Sequence, residues 1–224
     1  MPTGPSTMLR TGTPTLEKPK IPRGPIEPRG GGGSPGPFGP GDSAAVPPVS
    51  PARIGVWLLV AAITILFAAF TSTYLVRRGE ADWRVGPLPP VLWVNTAVIL
   101  LSSASMEWAR VWGRRGRIEM LRSALAVTTV LGVGFLAGQL LAWRQLVASG
   151  IYVATNPHSS FFYLLTGAHG VHLVGGLSAL CYALWKVRRT PSPEEALAVA
   201  DPTATYWHFL TGLWVYLFFI LFWI

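Results

Sequence analysis

IGVWLLVAAITILFAAFTSTYLV, residues 54–76, is a run of 23 residues without a charge. At about 1.5 Å rise per residue an α-helix of that length crosses a hydrocarbon core of about 30 Å. Four further runs follow the same logic. Residues 85–106 are uncharged, and Pro87, Pro89 and Pro90 suit a helix entrance rather than its interior, so the second span starts near Leu88. Residues 123–143 make the third. The uncharged stretch 145–185 must be divided, because Gly150, Asn156 and Pro157 are turn residues. Residues 202–224 supply the last. The pattern predicts an all-α integral membrane bundle of five transmembrane helices, spanning about 54–77, 88–112, 120–147, 159–186 and 203–224.

Composition agrees with lipid as the main solvent. Of 224 residues only 12% are charged, whereas soluble domains run near a quarter, and ten tryptophans suit the membrane interfaces. The formal charge of +8 does not indicate nucleic acid, because the basic residues sit in tails and loops instead of on one folded face. Residues 1–52 read as a disordered Pro/Gly-rich tail, since residues 1–51 hold 13 of the 20 prolines and 10 of the 24 glycines. No charged start followed by an apolar run and a small-residue cleavage site precedes Ile54, so the tail is expected to be retained. Residues 53–224 form the membrane domain.

Basic residues also set an expected orientation. With the N-terminus inside, the inner segments carry 14 of the 18 Lys and Arg residues, including Arg110, Arg114, Arg115, Arg117 and Arg122. The outer ones carry Arg77, Arg78, Arg84 and Arg144. The N-terminus is therefore expected to be cytoplasmic and the C-terminus on the outer side.

Polar groups inside spans are costly and each needs an account. His169 and His172, three apart in the fourth span, and His208, in the first turns of the fifth, could ligate a b-type haem or a metal. Two histidines three apart cannot take opposite faces of one haem, and no Asp, Glu or Cys joins them at their depth. Interhelical hydrogen bonding is the expected use. His158 lies at the outer mouth of the fourth span. Glu107 is the only acid expected near the hydrocarbon, and Arg110, one turn on, is its expected partner. Gln139 adds one more polar group, too little for an ion route, and the spans show no inverted repeat of a transporter.

Small residues suit close helix approach: Gly134 and Gly138 in a GxxxG step, the run Ser102 to Ser105, and Gly167, Gly170, Gly175 and Gly176. The one cysteine, Cys181, cannot form an internal disulfide and reads as a small buried core residue. No phosphate loop, nucleophile triad or carboxylate pair is present. The residues alone indicate a membrane bundle without an evident active site.

Two motifs add a resemblance. LLTGAHGVHLVGG, residues 164–176, resembles the HGxHxxxG signature of the cytochrome c oxidase subunit III family, and YWHFLTGLW, residues 206–214, resembles that family's C-terminal YWHFxxxxW pattern. LPPVLWVNTAVILLSSASMEWAR, residues 88–110, and the stretch 138–162 are similar to five-helix bacterial members. The resemblance covers about residues 54–224. It implies a subunit of a respiratory haem-copper terminal oxidase of the bacterial inner membrane, which reduces oxygen to water and pumps protons. In that family subunit III has no catalytic, cofactor-binding or metal residues of its own, and haem and copper reside in subunits I and II. It packs against subunit I, contacts the rest of the complex, holds phospholipid and sustains proton uptake.

By the same resemblance His169, His172, Tyr206, Trp207, His208, Glu107 and Arg110 are expected to serve helix packing and lipid-site structure, with Gly134, Gly138, Gly175 and Gly176 in helix packing. One position departs from the pattern. WLLVAAI, residues 57–63, ends in Ile63 where WLFLASE-like members carry a glutamate. A subunit III-like chain of a quinol oxidase or nitric oxide reductase, and a haem b membrane cytochrome, remain as alternatives.

Overall fold

The computed structural model describes residues 1, 4, 51–83, 86 and 88–223. The expected tail thus lies almost wholly outside the described residues, and its last two positions, Pro51 and Ala52, belong to a helix. Five helices occur among the described residues: α1 (Pro51–Arg77), α2 (Val91–Arg114), α3 (Ile118–Ala148), α4 (Pro157–Arg189) and α5 (Pro193–Trp223). All five are long and apolar enough to cross a membrane.

Local chemistry explains where they begin and end. Pro51 and Pro157 occupy first-turn positions that have no amide to satisfy. Asn156 and Ser159 close a reciprocal capping box at the start of α4, with the Ser159 amide donating to Asn156 Oδ1 at 2.8 Å. α2 stops at Gly116 (φ 72°) and α3 at Gly150 (φ 75°). In each, the amide after the glycine reaches back five residues: Arg117 N–H to Trp112 O and Ile151 N–H to Leu146 O, both 3.0 Å. These are Schellman turns, and their left-handed residue suits glycine.

The largest departure from the sequence reading is α5. It starts at Pro193, ten residues before the expected span, and carries Pro202 in its interior. The missing Pro202 amide costs one helical bond, yet the helix continues through it. The acids Glu194 and Glu195 favour this earlier start, standing in the first turn where the helix dipole stabilises negative charge.

Helices α2, α3, α4 and α5 close into a ring of neighbours, α2 against α3, α3 against α4, α4 against α5 and α5 against α2. α1 lies outside that ring, against α5 and α4. One stripe of α1 packs inward, with Ile63, Phe67, Thr71 and Tyr74 buried, while Trp57, Leu58, Ile65 and Leu66 are exposed on the other face. An exposed face this apolar is suited to lipid. α5 is the axis of the fold: Trp207, Leu210, Trp214 and Leu217 are buried along it. Cys181 is exposed on α4, against the expectation of a core position, because Leu180 and Ala183 are the residues that turn inward there.

Candidate functional site

The α2–α3 seam shows how small and polar residues set the spacing. Ser102 Oγ donates to Thr128 O and Ser105 Oγ to Ala124 O, both at 3.0 Å, and Asn95 Nδ2 donates to Phe135 O at 3.1 Å. Partners on α3 fall in number as those on α2 rise, so the bonds record an antiparallel register. Asn95 also meets Gln139 Oε1 at 3.4 Å. Gly138 makes room for it, since a Cβ there would collide with the Asn95 carboxamide.

Three consecutive residues of α5 then tie the bundle together, because successive helical positions turn by about 100° and so reach different neighbours. Tyr206 donates its hydroxyl to His172 O on α4 at 3.2 Å. Trp207, 1% exposed, donates Nε1–H to Ser102 Oγ at 3.1 Å. Its indole passes over Gly132 of α3 and Gly176 of α4, where added Cβ atoms would approach the ring to 2.7 Å and 3.4 Å. His208 turns toward α2, with Nδ1 2.6 Å from Ser103 Oγ and Nε2 3.2 Å from Glu107 Oε2. About two turns on, Trp214 donates to Thr96 Oγ1 at 3.0 Å and packs edge-on against Phe135.

From Glu107 the network continues outward. Arg110 donates to Glu107 at 3.0 Å, the pair the spacing predicts, and also to Asp201 Oδ1 at 2.9 Å. Asp201 is the residue that the sequence reading missed. It is 13% exposed and accepts a second bond, 3.0 Å, from Arg53 of α1, with Arg114 4.0 Å away. Glu107 is therefore not the only acid at this depth. The signal was present as Asp201-Pro202, which reads as the edge of a span and hid a carboxylate facing two other helices.

The histidines behave differently from expectation. His169 and His172 diverge: His169 is buried between Phe135 and Trp214, and His172 packs edge-on against Phe67 of α1. Neither side chain makes the expected interhelical hydrogen bond. His172 Nδ1 bonds its own helix at Ala168 O, 2.7 Å, and neither ring nitrogen of His169 has a protein partner. His208 alone among the three bridges helices by its side chain. Because the three rings face different neighbours, they do not converge as a haem ligand pair would. Among the described residues no group of three His, Cys, Asp or Glu side chains is placed to hold a metal ion.

The glycines are also redistributed. Gly138 and Gly176 sit at close approaches, but around Gly134 and Gly175 the nearest atom to an added Cβ is 4.0 Å away. Gly132, outside the GxxxG step, is the seat of Trp207.

This geometry is that of a chain whose polar groups fasten helices together, and comparison with known proteins gives it a family. Residues 49–224 match the family model described as cytochrome c oxidase subunit III. The chain is 30% identical over 174 residues to the probable cytochrome c oxidase subunit 3 of Mycobacterium tuberculosis, covering 75% of this chain and 85% of that protein. It is 28% identical over 170 residues to the probable cytochrome c oxidase subunit 3 of Nocardia farcinica, covering 74% and 84%. The cytochrome bo(3) ubiquinol oxidase subunit 3 of Pseudomonas putida is 28% identical over 171 residues, covering 74% and 82%. With the family model matching well over half of the chain, across all five helices, this multi-pass membrane protein belongs to the cytochrome c oxidase subunit III family and is a subunit of a haem-copper oxidase.

Proposed function

We propose that the chain is the non-catalytic subunit III of a cytochrome c oxidase that reduces oxygen to water and pumps protons. It packs directly on subunit I of that complex, with haem and copper held by subunits I and II and with phospholipid bound at its surface. It sits in a bacterial inner membrane, N-terminus in the cytoplasm and C-terminus outside, as the distribution of basic residues favours. The observation that carries the reading is the use of YWH. All three side chains at 206–208 are engaged with neighbouring helices, which is the arrangement of a scaffold. The linked groups Glu107, His208, Arg110 and Asp201 at the arginine-rich end support a part in sustaining proton uptake by the complex.

Purification from native membranes in mild detergent tests this. The expected result is co-purification with a haem-bearing subunit I, no haem band stoichiometric with the isolated chain, and earlier inactivation during turnover when the chain is removed. A chain that purifies alone while the oxidase lacks it would overturn the proposal. The Pseudomonas putida relative gives a quinol-oxidase assignment some support, and oxidation of a quinol in preference to cytochrome c by the purified complex would select it.

A further inference from the structure

The C-terminal end of α2 carries a feature that the scaffold does not use. Two guanidinium groups lie against the Trp112 ring, with the Arg115 Cζ 5.1 Å and the Arg117 Cζ 5.4 Å from its centroid. The Schellman turn at Gly116 sets the backbone that carries both arginines close to the indole, through Arg117 N–H to Trp112 O and Gly116 N–H to Gly113 O, each 3.0 Å. Arg110, Arg114 and Arg122 each have a carboxylate within 4.0 Å, whereas Arg115 and Arg117 have none among the described residues. Contact with the indole face leaves their N–H donors unused.

Beside them is an open groove of ≈ 430 Å³ lined by Trp108, Val111, Trp112 and Arg115. It continues along the same helix face as an exposed apolar strip, Trp108, Ala104, Leu101 and Ala97. From Leu101 to Trp112 the strip runs about 16 Å, close to half the thickness of a hydrocarbon core. Two neighbouring cations with no carboxylate partner among the described residues, at one end of an apolar strip one leaflet deep, match a ligand with an anionic head and an alkyl chain. We propose that this face binds one anionic phospholipid, its phosphate between Arg115 and Arg117 and an acyl chain along Trp108, Ala104 and Leu101. The inference deepens the phospholipid contact proposed above, and it holds whether or not the oxidase assignment does.

The test uses the full chain, purified in mild detergent with whatever subunits accompany it. It is incubated with mixed phosphatidylglycerol and phosphatidylcholine, and retained lipids are counted by native mass spectrometry. The wild type should prefer the anionic lipid. In the double variant Arg115→Gln, Arg117→Gln that preference should fall by about thirty-fold, the effect of two interfacial cations. Arg115→Lys with Arg117→Lys, which keeps both charges, should retain most of it, and excess inorganic phosphate should not displace the lipid. Equal anionic-lipid retention by wild type and the glutamine variant would overturn the proposal, as would equal losses in the glutamine and lysine variants or displacement by inorganic phosphate. So would loss of a co-purifying subunit with lipid retention unchanged, because the face would then be a protein interface. Failure of the oxidase assignment is read separately, from which subunits co-purify.

Discussion

Gly132→Ala is the sharpest test of the central packing. The added methyl would lie 2.7 Å from Trp207 Cη2 and 3.0 Å from Cζ2, with Leu177 Cδ1 at 3.4 Å. Relaxed carbon contacts are about 3.5–4.0 Å, so the indole must retreat by roughly 1 Å. It has little room to do so, because its other edge lies against Gly176 and its Nε1–H is committed to Ser102. Overpacking of this kind costs about 1–3 kcal/mol, offset by up to about 1 kcal/mol from alanine's helix propensity, so the net expectation is a loss of about 1–2 kcal/mol. Trp207→Phe removes the two atoms that collide, at its own cost of about 2–4 kcal/mol for the cavity and the lost bond. In that background Gly132→Ala should be neutral or stabilising, giving a coupling energy of at least about 1 kcal/mol. Reversible unfolding of the purified chain, by SDS titration in mild detergent, measures all four corners of the cycle. Gly134→Ala serves as the internal control, because its nearest neighbour is Val98 Cγ1 at 4.0 Å. Additive single costs, or an equal cost at 134 and 132, would refute the placement of Trp207 over Gly132.

Three further substitutions probe the rest of the structure. Asp201→Asn leaves Arg53 and Arg110 without their shared carboxylate and should cost about 2 kcal/mol, read as a lower unfolding midpoint with faster tryptic cleavage after Arg53 as the end of α1 separates. Unchanged midpoint and cleavage would show that the cluster does not hold α1. Ile63→Glu places a carboxylate at a position 2% exposed, so it should weaken α1 docking and leave the protons pumped per electron no higher, and a large rise in that ratio would contradict the reading of Ile63 as packing. Tyr206→Phe removes the hydroxyl bond to His172 O and should cost about 1 kcal/mol in the same unfolding assay, with no cost counting against that bond.

Much of the architecture could be read from the chain because lipid imposes one simple demand, long uncharged helices. The spans over 54–77 and 159–186 fall within α1 and α4, and that over 120–147 within α3. Hydropathy stops informing where a helix leaves the hydrocarbon, and for that reason the start of α5 was misplaced: Glu194, Glu195, Asp201 and Pro202 end an apolar run without ending the helix. The family motifs pointed to Tyr206, Trp207 and His208, but spacing alone could not say which helix each would reach. His169 shows the same limit, since two histidines three apart read as one polar face and the structure separates them between the bundle core and α1.

The glycines indicate what kind of reasoning would have gone further. A GxxxG match selects Gly134 and Gly138 by spacing and ignores which face of α3 is buried. The buried residues of α3 run Leu121, Leu125, Thr128, Gly132, Phe135, Gln139, Ala142 and Leu146, an alternation of three and four that is visible in the sequence. On that stripe Gly132 is the smallest position, and the smallest position on a buried stripe is where the largest side chain of a neighbour can enter. The tryptophan of the YWH motif is that side chain, so pairing the two was possible in principle from periodicity and size alone. The ionic cluster around Asp201 was not accessible in that way. It depends on three helices meeting at one end of the bundle, a fact of tertiary packing that neither charge spacing nor hydropathy along one chain contains. The structure thus gives two sets of polar groups different work: Asn95, Ser102 and Ser105 set the spacing of α2 and α3, and Asp201, shared by Arg53 and Arg110, fastens the loosely packed α1 to the ring.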